Sequence, residues 1–176
     1  MSLLVITGPP GAGKSTVATL VADRLPRSVL IEGDAFFAFV RQGKIEPWLP
    51  ESHAQNEIIV DAAALATGRF ARDYATVYDG VVGPWFIDAF LAASGLDALD
   101  YAVLLPDVEV SVQRVLTRVG HGFGDEPAAR KMHLEFSRCD LDPRHVVVNQ
   151  TTAESAADEI LERWERGALR LSAAAG

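Results

Sequence analysis

Eight consecutive residues near the amino end, Gly8-Pro9-Pro10-Gly11-Ala12-Gly13-Lys14-Ser15, fit the spacing G-x-x-x-x-G-K-[ST] and carry the chemistry of polyanion binding. Glycines let the main chain curl so that successive N–H groups point at one phosphate. A helix opening where the loop ends adds its partial positive charge. Lys14 would reach the outer phosphates of a nucleotide, Ser15 would offer its hydroxyl to a magnesium ion, and Thr16 is placed to donate to a phosphate. Context separates this pattern from a chance glycine-rich turn. The apolar run Leu3 to Thr7 reads as a buried strand directly before it, and Val17, Leu20, Val21 and Leu25 form one apolar stripe of a helix directly after it.

The elements that must hold this loop are legible along the chain. Besides Leu3 to Thr7, the segments Val29 to Glu32, Thr76 to Val82, Tyr101 to Leu105 and His145 to Asn149 are apolar, lack alternation and end in turn residues, the pattern of strands buried on both faces. Helical stripes fall between them: Val108, Val112, Val115 and Val119 after the fourth strand, and Ala157, Ile160, Leu161 and Trp164 after the fifth. Such alternation calls for a parallel sheet with helices on both sides and ligands at the carboxyl ends of the strands. Arg41 to Ser52, with Pro47, Trp48 and Pro50, reads as a loop interrupting the helical region between the second and third strands. Val119 to Pro127, with its three glycines, reads as a mobile flap, and the tail after Gly167 is expected to fray. No repeat or linker divides the chain, so residues 1–176 are expected to form a single domain.

Composition narrows the partners. The chain has 176 residues, half of them apolar, and a net charge of −8. A nucleic acid or an anionic membrane is disfavoured, because each needs a cationic footprint. The amino end has no basic leader and no stretch approaches the length of a membrane span; with Cys139 the only cysteine, a cytoplasmic location is expected. The four histidines, at 53, 121, 133 and 145, show no metal-ligand spacing. Neither Lys44 nor Lys131 follows an asparagine, so the guanine-specific signature of GTPases is missing, and the chain is too short for a ring-forming ATPase with its added helical domain. A compact kinase remains.

From Leu3 to about Trp164 the chain resembles the small P-loop kinases that phosphorylate hydroxyls of small molecules, the group containing gluconate kinase, shikimate kinase and chloramphenicol phosphotransferase. The resemblance implies an α/β P-loop NTPase fold of the adenylate-kinase type: a five-stranded parallel sheet flanked by helices, with a short lid at about 119–127. It also implies ATP and Mg2+. Glu32-Gly33-Asp34 is similar to the Gly-Asp that follows the second strand of gluconate kinase, which makes Asp34 the carboxylate for the acceptor hydroxyl. A helix cap on the segment beginning at Ala35 is the structural alternative. Val77-Tyr78-Asp79-Gly80 resembles the apolar run ending in Asp that such kinases place near magnesium, so Asp79 would share the metal with Ser15; the alternative is an aspartate paired inside a longer strand.

The same resemblance assigns further roles. Gly83 and Trp85 would touch the acceptor, and Phe37 and Trp48, with Phe36 and Phe39, would wall its site. Arg118-Val-Gly-His121 is similar to the lid stretch of gluconate kinase, making Arg118 the guanidinium that neutralises the transferring phosphoryl group, with Arg114 or Arg130 as substitutes. Arg114 and the backbone of Gln150, Thr151 and Thr152 would hold the nucleotide at the base loop, where a plain helix start explains the same letters. Gluconate kinases continue after Gly-Asp with a basic, histidine-containing stretch. Here Ala35-Phe36-Phe37-Ala38-Phe39 stands instead and suits a less anionic acceptor. A nucleoside monophosphate kinase would need several arginines near the second strand, where only Arg41 lies, and a non-catalytic ATP-binding module is the rival from another class.

Overall fold

Leu3–Thr7 forms β1, the centre of the sheet, because its side chains are buried on both faces: Leu3 and Val5 join one apolar cluster, Leu4 and Ile6 the other. The computed structural model describes residues 2–117, 123–149 and 152–173. In chain order, α1 (Lys14–Asp23) follows β1, then β2 (Ser28–Glu32), α2 (Gly33–Ala38), α3 (His53–Ala71), β3 (Ala75–Asp79), α4 (Ile87–Ser94) and β4 (Ala98–Leu104). After these come α5 (Val108–Thr117), α6 (Glu126–Arg138), β5 (Val146–Val147), α7 (Ala153–Glu165) and β6 (Arg170–Ser172). The parallel order is β2-β3-β1-β4-β5, with β1 between β3 and β4. Val60, Phe90 and Phe136 of α3, α4 and α6 cover one face, and Val17, Val21 and Ile160 of α1 and α7 cover the other.

This is the α/β fold expected, with differences at the strand ends. β3 stops at Asp79 instead of running to Val82, which puts the aspartate at the carboxyl edge rather than inside the strand. β4 begins earlier, at Ala98, and β5 is only two residues long. The tail does not fray at Gly167. Arg170–Ser172 adds a sixth strand, antiparallel to β4, with Leu171 opposite Leu99. Leu169 is fully buried in the α1/α7 cluster, and its carbonyl accepts from Tyr101 N at 2.9 Å. Buried Asp100 accepts from Trp164 Nε1 at 2.9 Å, with Arg170 4.0 Å away. An alternating Leu-Arg-Leu segment thus finds both an open strand edge and apolar cover. Among the described residues, no helix is long and apolar enough to cross a membrane.

If the tail is structural, Leu169→Ala removes about 2–5 kcal/mol of stability. Urea unfolding is expected to show a lower midpoint with an unchanged slope, whereas a frayed tail would leave the midpoint where it was.

Candidate active site

The loop between β1 and α1 is shaped by close approaches. Ala12 N donates to Pro9 O at 3.2 Å, and Gly11 and Gly13 have φ of +78° and +90°. A Cβ on Gly11 would lie 2.1 Å from Ser111 O and one on Gly13 2.7 Å from Asn149 Nδ2, so both positions require glycine on space as well as on φ. Gly8, Pro9 and Ala12 are buried and shape the loop from beneath, with Pro10 half-buried. No side chain caps α1, so the N–H groups of its first turn are left for an anion. Gly11, Gly13, Lys14, Ser15, Thr16 and Arg114 line a pocket of about 270 Å³ over that turn. Lys14 Nζ donates to Pro9 O at 3.1 Å, holding the ammonium over its own loop.

Arg114 and Asn149 tie the loop to its surroundings. Arg114, on α5, donates to Gly11 O at 3.5 Å and Asn149 O at 3.2 Å, while Asn149 Nδ2 donates to Ala12 O at 2.9 Å. The side-chain role of Asn149 was not expected from the sequence, where it reads as the first residue of the base loop. No local signal marks it, because its partner is 137 residues away in the chain.

Two aspartates stand at neighbouring strand ends. Asp79 is 7 % exposed and its Oδ1 has no hydrogen-bond partner. Burial pushes its carboxyl above the usual range. A hydrogen bond from Ser15 and the charge of Lys14 oppose that shift, while Asp34 and Glu32 reinforce it. Asp34 is exposed and lies within the first turn of α2, which starts at Gly33, two residues earlier than a cap at Asp34 would allow; Glu32 holds the cap position instead. Between them Tyr78 is buried against Gly33, whose Cβ would sit 2.3 Å from the phenol oxygen. Burial, with the charges of Asp34 and Asp79, raises the phenol's pKa and keeps it protonated.

A second cavity, of about 690 Å³, opens beside Asp34. Phe37, Trp48 and Trp85 line it, and so does one face of α6 carrying Lys131, Met132 and Arg138, which sequence reasoning passed over. Gly83 does not face the cavity. It is buried under the Trp85 indole, whose Cζ2 would lie 2.4 Å from a Cβ there, so its part is to let that ring lie flat on the chain. Phe36 and Phe39 are also outside the lining: the first packs on the core and the second points into solvent. The 41–52 segment is the expected interruption between α2 and α3, and its course is pinned by side chains. Gln55 bonds both the N–H and the carbonyl of Ile45, Ser52 and Asn56 both donate to Pro47 O, and a short 3-10 turn at Pro50–Ser52 leads into α3. Trp48 meets Phe123 edge to face at 4.8 Å.

Arg118, His121, Gln150 and Thr151 lie outside the described residues. Glu126 and Pro127, at the far end of the 119–127 segment, belong to the first turn of α6, capped by Asp125 Oδ1 accepting from Ala128 N at 2.9 Å. Arg130, named beside Arg118 as an alternative, is engaged in ion pairs. It is held by both carboxylate oxygens of Glu109 and by Glu126, which satisfy its charge and raise its pKa. Thr152 caps α7, its hydroxyl accepting from Ser155 N at 3.1 Å. One lone pair of its hydroxyl is thereby used, as the helix-start reading expects.

No family model and no curated protein matches the chain. Solved structures do. A sugar kinase from Janibacter sp. HTCC2649 aligns with a TM-score of 0.72 at 20 % identity, over 94 % of this chain and 95 % of that one. The Mycobacterium tuberculosis APS kinase, solved in complex with AMPPNP and APS, gives 0.68 at 16 % identity over 93 % and 97 %. The tunicamycin resistance protein of Deinococcus radiodurans gives 0.67 at 17 % identity over 93 % and 95 %. The chain has the fold of the P-loop small-molecule kinases.

Proposed function

We propose that the protein is an ATP-dependent phosphotransferase that moves the γ-phosphoryl group to a hydroxyl of a small organic acceptor, working as one kinase domain over residues 1–176 in the cytoplasm. One observation carries the reading: β3 lies between β1 and β2, so the phosphate loop leaving β1 and Asp34, just past the end of β2, flank Asp79 at the end of β3. A loop shaped for phosphates and a carboxylate lining a second cavity therefore lie on either side of that aspartate. The solved kinases of the same fold support the donor half of this assignment.

In this reading the amides of Gly8 to Thr16 and the Lys14 ammonium hold the triphosphate, Arg114 ties the loop to Asn149, and the backbone of Gln150, Thr151 and Thr152 is assigned to the base. The Ser15 hydroxyl beside a buried Asp79 oxygen with no partner is a donor set that fits Mg2+, a hard cation that takes oxygen ligands and keeps waters. The ion, when bound, would neutralise phosphate charge. Asp34 accepts a hydrogen bond from the acceptor hydroxyl and aims it in line. The hydroxyl oxygen forms the new P–O bond, the bond from the γ-phosphorus to the bridging oxygen breaks, the proton passes to Asp34 and ADP leaves. Arg118 meets the charge on the transferring group. Positioning and electrostatics supply most of the acceleration.

Incubation with MgATP and a panel of alcohols, with products identified by mass, tests the reading. Lys14→Ala is expected to lower transfer by about a hundredfold or more; turnover near the parent's in that variant would refute the donor site. Asp34→Asn should keep nucleotide affinity within about twofold while transfer falls about a hundredfold or more. Equal loss of both would place Asp34 in the fold and not in the reaction.

Asp79 yields a prediction independent of activity. Its folded pKa is raised, so between the unfolded value near 3.9 and the higher folded one the native state binds more protons. Stability then falls as pH rises through that window. Asp79→Asn mimics the neutral form and should melt above the parent at pH 7 in the absence of ligand, with the gap closing toward pH 4. Added MgADP should raise the parent's midpoint more than the variant's. A variant that melts below the parent at pH 7 would contradict the assignment of a strained, cation-seeking carboxylate.

A further inference from the structure

The acceptor cavity has more polar side chains in its walls than it offers to a ligand. Ser52 is buried and donates to Pro47 O and Leu49 O, at 2.8 and 2.7 Å. Asn56 Nδ2 serves Pro47 O and Ser52 Oγ, at 2.8 and 2.9 Å. Lys131 faces Glu135 at 3.9 Å, and His53 faces Glu57 at 3.3 Å with its ring stacked on Phe86. Tyr78 is sealed beneath Gly33. Among the described lining residues, that leaves Asp34, Arg138 and the Cys139 thiol as the ionisable groups outside an ion pair, the thiol donating to Glu135 O, and Asn56 Oδ1 as a buried acceptor without a partner.

A polyol presents a hydroxyl on nearly every carbon, and each one needs a partner once it leaves water. A carboxylate, a guanidinium, one unpartnered amide oxygen and side chains already engaged with one another are sparse provision for such a ligand. Rings, by contrast, are abundant: Phe37, Trp48, Trp85 and Phe86 line the cavity with the thioether of Met132. Trp85 is 46 % exposed, a large apolar surface at the cavity that lacks cover. Trp48 is held in advance by the bonds from α3 to its segment and by Phe123, so little side-chain or loop ordering remains to oppose binding. A volume of about 690 Å³ falls within the range of pockets for drug-sized ligands, roughly 300–1,000 Å³.

We propose that the acceptor is an alcohol borne on an aromatic or fused-ring body, its hydroxyl at Asp34 and its flat faces against Trp48 and Trp85, and not a polyhydroxylated sugar. The proposal rests on the kinase reading of the same site and specifies its substrate class.

The test uses two probes, 2-(2-naphthyl)ethanol and D-sorbitol, titrated by calorimetry into the full chain saturated with MgADP, and then each incubated with MgATP for product mass. The naphthyl alcohol is expected to bind at least about tenfold tighter than sorbitol and to be the one phosphorylated. Trp48→Ala and Trp85→Ala should each weaken it by about tenfold, and Trp48→Phe should recover most of the loss. Unchanged MgADP affinity in all three variants shows that they are folded. Sorbitol binding as tightly as the naphthyl alcohol, no binding of the naphthyl alcohol, or alanine variants that bind it like the parent would each overturn the proposal. Transfer to sorbitol alone would overturn it while leaving the kinase reading intact. Failure of the parent to bind MgADP would strike the kinase reading itself.

Discussion

A chain with a net charge of −8 can hold a polyanion only by concentrating donors at one point, and the first turn of α1 is that point. Repulsion from the rest of the molecule is offset locally, by aligned N–H groups, by the lysine that opens the helix and by Arg114 beside them. The neighbouring elements serve this geometry. Leu104 and Ser111 press against Gly8 and Gly11 so closely that the loop has one available path, and Asn149 fastens Ala12 from below. The phosphate loop is thus built from four places in the chain, and its shape is set before any ligand arrives.

The carboxylates on the other side are held under tension. Asp79 is buried next to two further acids and lacks a partner for one oxygen, an arrangement that works against stability. Such local cost is common where a cation or a reacting group must be received, and the compensation comes from well-packed apolar clusters on both faces of the sheet. Asp34 differs in kind: it is exposed and lines the larger cavity. Two aspartates, one closing β3 and one in the first turn of α2 just past β2, therefore have different environments, which is what the proposed division of tasks requires.

The phosphate loop and the central strand were legible because both rest on local rules, glycine spacing in one and an unbroken apolar run in the other. Asp34 and Asp79 were legible as strand-end acids for the same reason. What the sequence hid depends on distant partners. The return of Leu169 and Leu171 to β4 looks like a fraying tail until the open edge and the buried Asp100 beside Trp164 are in place. Gly83 looks like a ligand contact because a glycine after a strand often is one; the cause here is the indole lying over it. The 41–52 segment reads as a loop and is one, but the three polar side chains at 52, 55 and 56 that fasten it carry no local signal. Arg130 reads as a spare cation, and only the fold brings Glu109 against it.

Hydrogen–deuterium exchange resolved to single amides, with and without MgADP, tests the central claim most directly. If the loop closes round a polyphosphate, the amides of Gly11 to Thr16 should exchange markedly more slowly with the nucleotide present, while those of the β6 tail stay the same. Exchange at the loop that ignores the nucleotide would contradict the account.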